Sequence, residues 1–242
     1  MLGLRPQREQ AMARPLIRPS TIATWNRNPA DEEAMGAAHA PIWRRMVDVS
    51  VPHDLSASTV LDYGCNQGGF LRLLYDNHPF KSAVGIDIAR ESVARAELLR
   101  GHRPIQYRVA DQAASLGQTF DFAFSHEVIY LLPDVAEHAR DIRQALRPGG
   151  TYIAAIGCHT DSSLWPRWRK LIAETSSIPI YDHSLEDVSK AFADAGFGVA
   201  VRPLSLDAFM QVTTGSAYFP KVTDQLRYYT TDKVLFRFVR QR

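Results

Sequence analysis

The sequence predicts an α/β fold of the doubly wound kind, a mostly parallel sheet with helices on both faces, and three stretches carry that expectation. Val60-Leu61-Asp62-Tyr63-Gly64-Cys65-Asn66-Gln67-Gly68-Gly69-Phe70 reads as the end of a buried strand over 59–63, a glycine-rich turn, and a helix whose apolar Phe70, Leu71, Leu73 and Leu74 fall at helical spacing. Val84-Gly85-Ile86-Asp87-Ile88 is a second apolar strand. It ends in a carboxylate 19 residues beyond Gly68, where open α/β sheets place an acid that grips ribose hydroxyls. A third segment, 105–109, ends at Ala110-Asp111-Gln112, so three consecutive strands finish in polar residues on one edge of one sheet.

A glycine-rich turn after a strand can be no more than a tight connection. Here the glycines also let a ligand lie close to the backbone, and the helix that follows aims unpaired N–H groups at whatever lies over the loop.

Composition narrows the class. A chain of 242 residues with 45% hydrophobic content matches one α/β domain with a sizeable core. A formal net charge of +2, without a dense Lys/Arg run, gives no nucleic-acid footprint and calls for no acidic partner. Cys65 and Cys158 are too few for a disulfide framework or a zinc cluster, so a cytoplasmic setting is expected. No apolar run approaches the about 20 residues of a membrane span.

The remaining elements follow in order. Residues 1–24, rich in Arg and Pro and without periodicity, read as a flexible leader, and 25–242 as a single domain. Asp31 is the expected cap of a helix carrying Met35, Ala38, Ile42 and Met46. A packing helix follows Arg90, with Val93, Ala96, Leu98 and Leu99 on its apolar side, and a fourth strand spans 120–125. Pro133 opens a helix with the stripe Val135, Ala139, Ile142 and Leu146, stopped by Pro148-Gly149-Gly150. A fifth strand, 151–156, ends at Gly157-Cys158-His159-Thr160-Asp161, where His159 and Asp161 either orient a polar substrate or form a capped turn. Trp165 and Trp168 begin a helix that either covers a cleft or anchors itself by its aromatics. Ser184 and Asp187 form a capping-box pattern ahead of Val188, Ala191, Phe192 and a stop at Gly196. A sixth strand covers 199–202, and 233–241 closes the chain as the last strand. The long aromatic connection 204–230 shapes a pocket or an oligomer contact, so a homodimer is one expectation.

Asp62-Tyr63-Gly64-Cys65-Asn66-Gln67-Gly68, Asp87, Asp111-Gln112, Phe120-Asp121-Phe122-Ala123-Phe124-Ser125-His126-Glu127 and Leu146-Arg147-Pro148-Gly149-Gly150, in this order and spacing, resemble the class I S-adenosylmethionine-dependent methyltransferases. Asn66 departs from the pattern, which has a glycine there, although asparagine tolerates left-handed torsions. The resemblance implies a Rossmann-like, mostly parallel seven-stranded sheet with an antiparallel C-terminal strand and a helical, aromatic cover from 25–51, 158–180 and 204–230. It implies S-adenosylmethionine as cofactor. The loop Asp62, Gly64, Cys65, Asn66 and Gly68 would hold its methionine part, Asp87 and Ile88 the ribose, Asp111 and Gln112 the adenine, and Ser125 would stand nearby.

For the acceptor, the resemblance places Trp25, His39, Trp43 and Tyr130 on the pocket wall, joined by His159 and Trp165. His126 stands at the end of the strand facing the reacting centre. It serves there as a general base, its ordinary pKa near 6.5 suiting proton acceptance at neutral pH, or fills space while bonding a carbonyl. Glu127, pointing the other way, caps or pairs. The implied function is transfer of a methyl group to an oxygen or nitrogen of a small-molecule metabolite, without metal, nucleic acid or membrane. The rival readings are a non-catalytic protein that binds S-adenosylmethionine and a nicotinamide-dependent oxidoreductase.

Overall fold

A computed structural model of the chain describes residues 21–206, 209–212 and 215–242. Most of the expected leader, and residues 207–208 and 213–214 of the aromatic connection, therefore lie outside the described residues. The last residues assigned to the leader are tied down: the carbonyls of Ile22 and Ala23 accept the N–H groups of Arg90 and Glu91 at 3.0 and 2.9 Å.

The chain alternates as α1 (Pro29–Ser50), β1 (Leu55–Tyr63), α2 (Gly69–Asn77), β2 (Phe80–Asp87), α3 (Arg90–Leu99), β3 (Ile105–Val109), β4 (Phe120–His126), α4 (Val135–Ala145), β5 (Leu146–Ile156), α5 (Trp165–Thr175), α6 (Leu185–Asp194), β6 (Phe197–Pro203), α7 (Val222–Arg227) and β7 (Val234–Arg240). A single sheet has the order β3-β2-β1-β4-β5-β7-β6. Neighbouring strands from β3 to β5 pair in parallel, and β7 runs antiparallel to both of its neighbours. Strand order reverses between β1 and β4, and that switch point opens a crevice at the C-terminal ends of the strands.

The central strands feed two cores because successive side chains point to opposite faces. Leu61, Ala123, Tyr152 and Phe238 pack with Phe192 and Ile142 under α4 and α6. Val60, Phe124 and Ile153 pack with Met46, Leu71 and Val93 under α1, α2 and α3. A third, aromatic cluster of Tyr130, Trp165, Trp168, Ile172 and Tyr228 lies at the mouth, with Trp25, Phe219 and Tyr229 packed against it.

Several local expectations need correction. Asn28, not Asp31, caps α1, its side chain accepting the Ala30 N–H ahead of Pro29 at the first helical position. Leu98 is 78% exposed, so α3 packs through Val93 and Ala96. α4 begins at Val135, capped by Asp134, and ends at Ala145; Leu146 already belongs to β5, which bulges opposite Phe120–Phe122 before pairing resumes at Thr151. The capping box of α6 forms as read, and Gly196 takes φ +82° beyond that helix. The connection 204–230, read as shaping a pocket or an oligomer contact, holds α7, which runs into the π-helical turn Tyr228–Asp232.

Candidate functional site

A cavity of about 1260 Å³ lies over the C-terminal ends of β1, β2, β3 and β4, roofed by α1 and the aromatic cluster. One half is rich in carboxylates. The N–H groups of Gly64 and Cys65 both reach the Ile86 carbonyl, at 2.8 and 2.9 Å, which folds the loop back against β2. Gly68 then takes φ +71°, and a Cβ there would run into the Tyr107 ring, whose hydroxyl donates to the Gly68 carbonyl at 3.0 Å. Asn66 takes φ +46°, so it fills the left-handed position that a glycine would occupy.

Asp87 is anchored by that loop. Its Oδ2 accepts the Asn66 N–H at 2.9 Å and its Oδ1 the Ala89 N–H at 2.8 Å, leaving lone pairs on both oxygens for a ligand. Burial raises its pKa to about 6 against the pull of those N–H groups. Asp62, 3% exposed, lines the same wall with Oδ2 unpartnered; burial, then the charge of Asp87, pushes its pKa up to about 8. The Asn66 Oδ1 is also buried without a partner. Glu32 of α1, which the sequence reading missed, joins them. Its oxygens accept the Asn26 N–H at 2.9 Å and the Ser92 hydroxyl at 2.7 Å, clasping the roof to α3. Cys65, Ile88, Asp111 and Gln112 also line the cavity.

The other half is aromatic. Trp25, Trp43, Tyr130, Trp168, Phe219 and Tyr228 are on its wall. His126 sits between them, its Nδ1 accepting from the Trp43 Nε1–H at 3.1 Å and its ring 4.6 Å from that of His39. A neutral imidazole with Nδ1 so occupied carries its proton on Nε2, which is buried and has no partner. Burial, then the charge of Lys233 and the neighbouring His39, holds His126 well below the ordinary histidine range. Of the two expected roles, general base or space-filling ring that bonds a carbonyl, this tautomer favours a donor role for His126.

Four expected positions stand elsewhere. Ser125 faces away from the cavity, its hydroxyl 2.6 Å from that of Tyr152, because strand alternation sends His126 to the cavity side. Gly68 shapes the turn while Gly69 forms the wall. His159 is 3% exposed and its Nε2 donates to the Asp232 carbonyl at 2.7 Å; Asp161 accepts the Leu185 N–H, so this strand end is the capped turn. The Trp165 indole donates to Asp182 at 2.7 Å behind Tyr130, and Trp168 takes the wall position.

Glu127, expected to point away from the His126 side and to cap or pair, instead turns into the same cavity because the strand geometry ends at its left-handed backbone, and it pairs there. It takes φ +55°, forms an ion pair with Lys233, accepts the Tyr228 hydroxyl at 3.2 Å, and accepts the N–H groups of Gly157 and Cys158 at 3.1 and 3.2 Å. Burial alone would raise its pKa, but Lys233 and the Gly157 N–H bring it below the usual carboxylate range. Lys233 has no local motif; it reaches the site because β7 pairs with β5 in the register Val234↔Ile156.

The carboxylates of Asp87 and Glu32, beside the unpartnered oxygens of Asp62 and Asn66, suit a ligand that carries hydroxyls and positive charge, and the switch-point crevice suits a nucleoside. Fold and site thus define a binder of a cationic nucleoside derivative with room for a second, aromatic-walled ligand. Residues 19–200 match the family model described as a methyltransferase domain, and the chain belongs to that family, in which S-adenosylmethionine is the methyl donor. It is 33% identical over 101 residues to a 2-methyl-6-phytyl-1,4-hydroquinone methyltransferase of Synechocystis sp., covering 40% of this chain and 31% of that protein. It is 34% identical over 105 residues to a trans-aconitate 2-methyltransferase of Azoarcus sp., covering 41% of this chain and 39% of that one. The matched stretches thus span well under half of these relatives' own length. Among solved structures, a chain from a complex of the Haloferax volcanii Trm112 methyltransferase activator superposes with a TM-score of 0.74 at 22% identity, over 88% of this chain and 95% of that one.

Proposed function

We propose that this protein transfers a methyl group from S-adenosylmethionine to an oxygen or nitrogen of a small-molecule metabolite. The observation that carries the reading is one continuous cavity whose carboxylate half holds the unpartnered oxygens of Asp62 and Asn66, and whose aromatic half is separately walled. In this reading Asp87 takes the ribose hydroxyls by charge-assisted bonds. The loop from Asp62 to Gly69 takes the methionine part, and Asp111 with Gln112 the adenine edge.

When bound, S-adenosylmethionine supplies an electrophilic methyl carbon on a sulfonium. The task left to the chain is positioning, which in favourable model systems is worth about 7–11 kcal/mol. Trp43 and His126 stand together on the wall of that cavity, the His126 Nε2–H fixes an acceptor atom of either ligand, and the aromatic walls exclude water. The relatives named above act, by their names, on a hydroquinone and on aconitate, which supports a small organic acceptor over a nucleic acid. No described helix is long and apolar enough to cross a membrane. Two unpaired buried thiols, Cys65 and Cys158, fit a reducing compartment such as the cytoplasm, and a homodimer is the assembly to test by sedimentation.

Calorimetric titration with S-adenosylmethionine and, separately, with NADH tests the reading. Saturable binding of the first alone is expected. Binding of NADH alone would favour the oxidoreductase, and binding of neither would remove the basis of the proposal. The open aromatic half supports catalysis over a sensor role, and a screen for transfer of labelled methyl to candidate acceptors separates the two.

A further inference from the structure

Resting on the methyltransferase reading, we infer that the aromatic half takes its acceptor as a phenolate, and that the Lys233 ammonium is the group that holds the reacting oxygen. Hydrogen-bond capacity on that wall is filled on the acceptor side and unfilled on the donor side. Glu127, the anion on it, is full: Oε1 receives Lys233 and the Tyr228 hydroxyl, and Oε2 receives two backbone N–H groups. It has nothing left with which to take a substrate proton. Donors, by contrast, are in surplus. The indole Nε1–H of Trp25 and the Nε2–H of His126 are buried and donate to nothing. Lys233, 1% exposed and on the cavity wall, spends one N–H on Glu127 and a second on the Tyr228 hydroxyl at 3.3 Å, and its third is uncommitted.

Buried donors left unpaired each cost about 1–3 kcal/mol, so a wall with several is built for a ligand that accepts. The hydroxyls of Tyr130, Tyr218 and Tyr229 can serve in either sense and do not change the balance. A protonated amine would add a further donor and a further positive charge. A neutral amine has one lone pair, which it must keep for the methyl group. A phenolate oxygen has three, enough to take two donors and still attack, and its ring matches walls made of Trp25, Tyr130, Trp168, Phe219 and Tyr229. The Lys233 ammonium lies 5.6 Å from the centre of the Tyr228 ring, and its charge helps to lower the basicity of His39 and His126; both histidines stay neutral, so among the described residues it is the cation lining this half.

The step balances without further reagents. The phenol gives its proton to solvent buffer as it enters. A lone pair on the phenolate oxygen then forms the O–CH₃ bond while the S–CH₃ bond breaks and its electron pair returns to sulfur. The negative charge on oxygen and the positive charge on sulfur cancel.

The test uses 4-nitrophenol, whose phenol and phenolate absorb differently, titrated into the full chain saturated with S-adenosylhomocysteine, with 4-nitroaniline in parallel. Bound 4-nitrophenol is expected to ionise about one pH unit below the free dye, a tenfold preference for the anion. The aniline is expected to bind at least about tenfold more weakly, since it leaves the donors unpaired. Lys233→Met should abolish the spectral preference and Lys233→Arg restore most of it. If Lys233→Met fails to fold, Lys233→Met combined with Glu127→Gln, which removes both charges, carries the same measurement. Equal midpoints for bound and free dye, a midpoint indifferent to Lys233, equal binding of the aniline, or no binding of the nitrophenol would each overturn the inference. Failure of the methyltransferase reading looks different: S-adenosylhomocysteine itself would not bind.

Discussion

The Nε1–H of Trp43 donates to Nδ1 of His126 at 3.1 Å, a bond from the roof helix to the end of the central strand β4. It fixes the tautomer of His126 and with it the role open to that residue. Nε2 must carry the proton, and the low basicity imposed by burial keeps the ring neutral across the working range.

A donor role and a base role separate cleanly by substitution. His126→Gln keeps an N–H in reach of the cavity, whereas His126→Ala leaves none. With an acceptor found by screening, His126→Gln is expected to retain kcat/KM within about tenfold and His126→Ala to lose about a hundredfold, in line with the cost of a lost hydrogen bond in a dry site. Between pH 6 and 8 the wild-type profile should show no histidine-like acidic limb. Equal loss in both variants, together with such a limb, would restore the base.

Asp87 gives the second prediction. Its two oxygens are held in place by the N–H groups of Asn66 and Ala89, so the lone pairs that remain have fixed directions. Asp87→Ala should weaken S-adenosylmethionine binding at least about tenfold, the worth of charge-assisted bonds to two hydroxyls. Titration calorimetry reads this directly, and unchanged affinity would detach Asp87 from the ribose.

Asp62 links binding and stability to pH. In the ligand-free chain its carboxyl stays protonated up to pH about 8, because burial and Asp87 oppose its charge. An unfolded carboxyl ionises near pH 4, so between about pH 4 and 8 the folded state binds the extra proton and stability falls as pH rises. Asp62→Asn removes that slope. Thermal unfolding should find it close to wild type at pH 4 and more stable by about 1–3 kcal/mol at pH 8, a discounted share of the 1.4 kcal/mol per unit shift. A cationic ligand favours the ionised carboxyl, so S-adenosylmethionine affinity should climb from pH 6 to 8 with proton release seen by calorimetry in two buffers. A stability difference equal at both pH values would remove Asp62 from this account.

The carboxylate half was legible in the sequence because short stretches encode it. Residues 62–69, 87–88 and 111–112 each sit where a strand stops, and the switch point of a parallel sheet brings strand ends together without further information. The aromatic half was legible in composition but not in detail. Whether Ser125 or His126 faces the cavity depends on how far β4 continues, and one residue reverses the answer. His159 and Trp165 carried the right chemistry, yet their partners, Asp232 in the π-helical turn and Asp182 in a loop, come later in the chain and no local pattern places them beside these residues. Lys233 is 106 residues from Glu127, and only the antiparallel register of β7 brings them into contact.

That register makes the Glu127–Lys233 pair the most exacting stability test. Removing one member strands the other charge in a buried wall, at a cost of about 3–5 kcal/mol, whereas replacing both with neutral side chains of similar size is often nearly neutral. Glu127→Gln and Lys233→Met are therefore each expected to be strongly destabilised, and the double variant to recover most of the loss. The result would be a large coupling energy in a double-mutant cycle. Gly157 offers an independent approach to the same group. A Cβ there would meet the Tyr228 hydroxyl and lie 2.8 Å from the Glu127 Oε1, while the carboxylate half stays untouched. Gly157→Ala should thus cost about 1–3 kcal/mol by overpacking and leave S-adenosylmethionine affinity unchanged, while disturbing ligands of the aromatic half. Additive effects in the cycle would mean that the pair contributes little beyond its packing. Loss of S-adenosylmethionine binding in Gly157→Ala would mean that the two halves of the cavity are one mechanical unit.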